Sequence, residues 1–147
     1  SGILMKKYNK IYLASGWFNE NQERRVAEAE KVLRGLGFDV FSPREHQNEH
    51  LEFGSNEWRQ ATFDNDIDHV EWCDFVFAIY DEEDAGTMME CGYAHKCGKP
   101  VLIYHEGDDI VNLMLTDSLT AYFKTFDEVK EYDFQTMKHK PYTGEVI

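Results

Sequence analysis

No hydrophobic run in this 147-residue chain approaches the roughly 20 consecutive apolar positions that span a bilayer. The N-terminus also lacks the extended apolar core of a secretory signal, so the expectation is a cytoplasmic protein. Basic residues are scarce, with 15 lysines and arginines against 28 acids and a net charge of -13. Such a surface repels phosphate backbones and anionic lipids, which argues against nucleic acid polymers and membranes as partners. Only three cysteines occur, Cys73, Cys91 and Cys97. They form no CxxC pair, and an odd number in a reducing compartment speaks against a disulfide framework, so they read as small buried hydrophobes. The six histidines fall in no HxH or HExxH pattern, and no metal is expected. With three prolines, no low-complexity run and no internal repeat, what remains is a globular composition of 42% hydrophobic and 14% aromatic residues. The length suits one domain over residues 1–147, with 1–9 read as a tag remnant or flexible tail.

Strand and helix signals alternate along the chain. "KIYLAS" at 10–15 predicts a strand entering a tight turn at Ser15-Gly16. From Glu20 to Leu36 the apolar residues Val26, Ala29, Val32, Leu33 and Leu36 recur at helical steps, and Gly37 offers a left-handed stop. "FDVFSP" at 38–43 is a second strand. The polar stretch 44–56 has no period and reads as an excursion that overhangs a site as a lid. A helix over 57–73, a buried strand at 74–81, a helix over 86–98, and strands at 99–105 and 119–125 follow, with a last helix over 126–134. Five strand-helix alternations predict a three-layer α/β sandwich on a five-stranded, mostly parallel sheet.

Ligands of such sheets bind outside the carboxyl ends of the strands. The residues just after the expected strands are Ser15-Gly16-Trp17-Phe18, Ser42-Pro43-Arg44, Asp81 to Gly86, and His105 to Asp109. Glu90 lies one helical turn beyond the third of these, on the same face as Gly86 and Tyr93 or Ala94. It is either an ordinary exposed helix residue or a carboxylate aimed at a ligand. Asp84 fits a helix cap, a ligand contact or both. Asp81, Glu82 and Glu83 read as a solvated acidic loop. Gly86-Thr87 forms neither a GxGxxG nor a Walker-type loop and is flanked by acids, which argues against a nucleoside triphosphate or other phosphate cofactor. Of the acids Asp64, Asp66 and Asp68, at most one or two can share a helix face, and a wet face is the plain reading. Trp17 and Phe18 are either core or a stacking surface for a flat heterocycle.

Taken together, "IYLASGWF" (11–18), "ATFDNDID" (61–68), "YDEEDAGTMMECGYAHKCGKPVLI" (80–103), "NLM" (112–114) and "GEVI" (144–147) resemble the nucleoside 2-deoxyribosyltransferase family. The resemblance implies a flavodoxin-like fold and an enzyme that moves 2-deoxyribose between nucleobases without a cofactor. It places Glu90 as nucleophile, Asp66 as the acid serving the departing base, and Tyr12 as the phenol that orients the nucleophile. Asp84 would hold the sugar hydroxyls, while Gly16, Trp17 and Phe18 line the substrate site. Asn112, Met114 and the terminal carboxylate would reach a neighbouring subunit's site, which implies a homo-oligomer built from dimers, often a hexamer. The expected partners are 2'-deoxyribonucleosides and free nucleobases. Met88, Met89 and Tyr93 would keep Glu90 dry and aimed. "AGTMME" lacks a second glycine common in the family, and Ile147 stands where an aromatic residue often ends the chain; both bear on substrate preference. The same scaffold also suits a 2'-deoxynucleoside 5'-monophosphate N-glycosidase or a non-catalytic nucleoside-binding protein.

Overall fold

The computed structural model describes residues 6–81 and 84–147. Its strands are β1 (Lys10–Ala14), β2 (Asp39–Phe41), β3 (Phe75–Ile79), β4 (Val101–Tyr104) and β5 (Ala121–Phe123). The helices are α1 (Glu20–Gly35), α2 (Asn56–Trp72), α3 (Ala85–Lys96), α4 (Leu113–Thr116) and α5 (Phe126–Glu131). All five strands pair in parallel in the order β2-β1-β3-β4-β5. The expected "mostly parallel" sheet is thus wholly parallel among the described residues, with the flavodoxin-like strand order.

Strand side chains alternate between two separate cores. Ile11, Leu13, Phe75, Phe77, Leu102 and Phe123 pack with Val26, Ala29 and Leu33 of α1 and Val129 of α5. Tyr12, Ala14, Val76, Ala78, Ile103 and Tyr122 pack with Val70 of α2 and Cys91 and Ala94 of α3. Near-continuous apolar strands therefore follow from burial on both faces. Tyr12, by its parity in β1, is committed to the α2–α3 face.

Several boundaries differ from expectation for identifiable reasons. β2 stops at Phe41 because Ser42-Pro43 turns into a 3-10 helix over Pro43–Glu45, and proline has no N–H to extend the ladder. α5 ends at Glu131, where Tyr132 turns extended and the Asp133 carboxylate accepts from the Gln135 N–H. The end of the segment expected as a tail over 1–9 is held in the fold: Tyr8 packs on the core, and the Asn9 and Lys10 N–H groups both donate to Asp74 at 2.8 Å. Residues 1–5 lie outside the described residues. Cys73 and Cys91 are buried as expected, whereas Cys97, at the end of α3, is exposed. Among the described residues, no helix is long and apolar enough to cross a membrane.

Candidate active site

A cavity of about 830 Å³ opens at the carboxyl ends of β1 and β3, between α2 and α3. This is where the strand order reverses direction, the position at which sheets of this order bind ligands. Ser15, Trp17 and Phe18 border it after β1, Asp84, Gly86 and Thr87 after β3, and Asp66 from α2. Glu90 of α3 completes the acidic inner end.

Local chemistry explains why the acids converge. Asp84 caps α3: its carboxylate accepts from the Thr87 N–H at 3.2 Å and from the Thr87 hydroxyl at 2.5 Å. That cap fixes the first turn, so Glu90 emerges one turn later beside the phenol of Tyr12. The Tyr12 hydroxyl donates to Glu90 Oε2. Burial and the nearby Glu90 and Asp66 carboxylates drive the Tyr12 phenol far above its ordinary range, so it stays protonated and remains a donor. Burial raises Glu90 to about 8, opposed by the Tyr12 hydrogen bond and reinforced by Asp66 and Asp84. Burial likewise raises Asp66 to about 6, with His69 pulling the other way. Burial thus raises both carboxyls, Glu90 further than Asp66, and one proton is shared between them around neutrality.

Of the three α2 acids, Asp64 and Asp68 are exposed, and only Asp66 turns into the cavity. Trp17 and Phe18 stack on each other with centroids 6.1 Å apart, Trp17 against the core and Phe18 open to solvent. Gly16 approaches closely: a Cβ there would lie 3.1 Å from Asp84 Oδ2, Gln22 Oε1 and the Phe18 ring.

Other expectations are corrected. Met89 borders the cavity, but Met88 and Tyr93 pack into the α2–α3 core, and the Tyr93 hydroxyl donates to Glu71; Tyr12, not Tyr93, aims Glu90. Asp81 is not a solvated loop residue, for Gln22 Nε2 donates to it at 3.0 Å and Arg25 pairs with it at 3.1 Å. Glu82 and Glu83 lie outside the described residues. Residues 44–55 do not line the cavity; they are tied down by Phe41–His46 stacking and by hydrogen bonds of Asn48 to Thr62 and Trp58 to Gln47, so the first turns of α2 form the outer wall instead. His105 is buried between Tyr122 and Asp109, away from the cavity. Asn112 and Met114, expected at a neighbouring subunit's site and not at their own, stand apart from the Glu90 cavity within one chain. Asn112 caps α4, accepting from the Met114 N–H at 2.8 Å, and both line a second cavity of about 500 Å³ with Met88, Cys91 and His95. The Leu113 N–H donates to the Ile147 carbonyl at 2.9 Å, which brings Ile147 beside them.

Sequence reading missed Gln22. Its Oε1 accepts from the Phe18 N–H at 2.7 Å while its own N–H donates to Asn19, so one buried amide joins the 15–19 turn to Asp81. The signal was present as Asn19-x-x-Gln22, the spacing of a capping box.

The family model described as nucleoside 2-deoxyribosyltransferase matches residues 11–129, from β1 into α5. The chain belongs to the nucleoside 2-deoxyribosyltransferase family. A solved 2-deoxyribosyltransferase structure from Bacillus psychrosaccharolyticus is 50% identical, with a TM-score of 0.88 over 91% of this chain and 99% of that one. The nucleoside deoxyribosyltransferase of Lactobacillus leichmannii is 30% identical over 152 residues, covering 92% of this chain and 96% of that protein. A Clostridium botulinum CMP N-glycosidase is similar in fold alone, at 18% identity and a TM-score of 0.56. For a 2-deoxyribosyltransferase, the cavity at the β1–β3 reversal is the expected place for chemistry.

Proposed function

We propose that this family member exchanges the nucleobase of 2'-deoxyribonucleosides by double displacement on Glu90. The observation that carries the reading is the half-buried Glu90 carboxyl, held by the Tyr12 hydroxyl and sharing its cavity with Asp66. Cleaving an N-glycosidic bond develops oxocarbenium character at C1', which a carboxylate stabilises and then traps. A Glu90 oxygen bonds to C1' as the C1'–N bond breaks, the electron pair leaves on the base nitrogen, and Asp66 supplies a proton to the base. In the second half, Asp66 takes a proton from an incoming base whose nitrogen attacks C1' and releases the Glu90 carboxylate. Two displacements at one carbon preserve the β configuration. The growing positive charge at C1' favours the ionised form of Glu90 against the burial that raises it.

Asp84, beside Gly16, binds the sugar hydroxyls, and Trp17 and Phe18 cover the base and keep water from the ester. Asn112 and Met114 act on a neighbouring subunit's site in a dimer-based homo-oligomer, possible because Met114 and Leu113 are exposed at 74% and 47%. We assign the enzyme to the cytoplasm, where its free cysteines remain reduced. Incubation with deoxyinosine plus adenine is expected to yield deoxyadenosine. Release of deoxyribose phosphate from deoxyinosine monophosphate, with no base exchange, would assign it to the glycosidases instead.

A further inference from the structure

The five arginines of this acid-rich chain are not used alike. Arg24 pairs with Glu106 at 3.1 Å, Arg25 with Asp81 at 3.1 Å, Arg34 with Glu45 at 2.5 Å and Arg44 with Glu30 at 2.7 Å. Arg59 alone has no side-chain hydrogen bond or ion pair among the described residues, and it alone of the five lines the cavity that holds Glu90. With 28 acids in the chain, a guanidinium left uncommitted at this place is available to a ligand.

Its position on α2 sets what it can reach. Arg59 and Asp66 are seven residues apart, two turns or about 10.5 Å along the helix axis, and Phe63 lies between them on the same face. All three line the cavity. The inner end thus carries Asp66, Asp84 and Glu90, and the outer end a lone cation beside the Trp58 and Phe63 rings. A base whose ring nitrogen meets Asp66 while its face lies over Phe63 directs its far edge toward Arg59.

We propose that Arg59 reads the exocyclic group of the base and selects oxo over amino. A guanidinium only donates, through a planar fork. Hypoxanthine and guanine present two adjacent acceptors, O6 and N7, which that fork satisfies together, whereas adenine sets its N6 amino hydrogens against it. The rule extends to pyrimidines, with the O4 of thymine or uracil favoured over the N4 amino group of cytosine. The positive charge also favours the electron-rich oxo edge as the base departs. This inference rests on the deoxyribosyl-transfer reading of the site.

The test is a competition between hypoxanthine and adenine as acceptors, with deoxyguanosine as donor, reading the ratio of kcat/KM for the two products. The wild-type enzyme is expected to favour hypoxanthine. Arg59→Ala should lower that preference roughly tenfold, in the lower half of the range for a bidentate arginine–purine contact because the residue is exposed. Arg59→Lys should fall between, keeping the charge without the fork, and Arg59→Glu should invert the preference. Active Ala and Glu variants with an unchanged ratio overturn the proposal. A wild-type enzyme that transfers deoxyribose to neither base overturns the underlying reading of the site instead.

Discussion

The two faces of the sheet draw on alternate residues of the same strands, yet the cavity that holds Glu90, Asp66 and Asp84 opens on the α2–α3 face. Toward α1 and α5, Ile11, Leu13, Phe75, Phe77 and Phe123 close a continuous apolar core. Toward α2 and α3 the same strands contribute Tyr12 beneath Glu90, and the packing gives way to the cavity with Asp66 and Asp84. The first face supplies stability; the second gives some of it up to hold carboxyls in a setting that raises them. If this division is right, substitutions on the two faces should separate stability from chemistry.

The largest expected effect is on the α2–α3 face. Glu90→Ala should abolish base exchange, and Asp66→Asn should slow it by about 10²–10⁴-fold, both with the fold retained by circular dichroism. Next comes the opposite face. Leu33→Ala, fully buried on α1, should cost about 3 kcal/mol in urea unfolding while exchange per folded molecule stays the same. A Leu33 variant that lost rate without losing stability would break the comparison.

The Tyr12 contact sharpens it further. Exchange should follow a bell whose limbs belong to the Asp66–Glu90 pair, near pH 6 and pH 8, because one proton must be shared between them. The Tyr12 hydroxyl lowers Glu90, so Tyr12→Phe raises it: the alkaline limb moves to higher pH and the peak rate falls by about tenfold. An alkaline limb that stayed in place would remove Tyr12 from the account. Smallest is Gly16→Ala, whose methyl would crowd Asp84 and the Phe18 ring. A severalfold rise in KM for the deoxynucleoside is expected, with kcat nearly unchanged; equal losses in both would mean that the turn itself had moved.

What was legible in the sequence follows the same division. Strand and helix periodicity located the layers, and the carboxyl-end rule located the rim, because both depend on local pattern. Asp66 could not be separated from Asp64 and Asp68 by spacing, since helical geometry says only that the three cannot share a face; the family resemblance made that choice. Asp81 was misread because its partner Arg25 lies 56 positions earlier, beyond any local pattern. Gln22 escaped because a capping residue looks the same whether it only starts a helix or also holds a site turn. Met88 and Tyr93 were placed on the wrong side of α3 because the helix is apolar on more than one face. The short β2 reflects Pro43, whose effect on the ladder had a visible cause.

The most direct measurement of the central claim is intact mass spectrometry of the enzyme quenched during turnover with deoxyinosine and no acceptor base, followed by peptide mapping. A mass increase of one 2-deoxyribosyl group located on Glu90, and absent from Glu90→Ala, is the predicted result. An adduct on a different residue, or efficient base exchange by the Glu90→Ala enzyme, would contradict it.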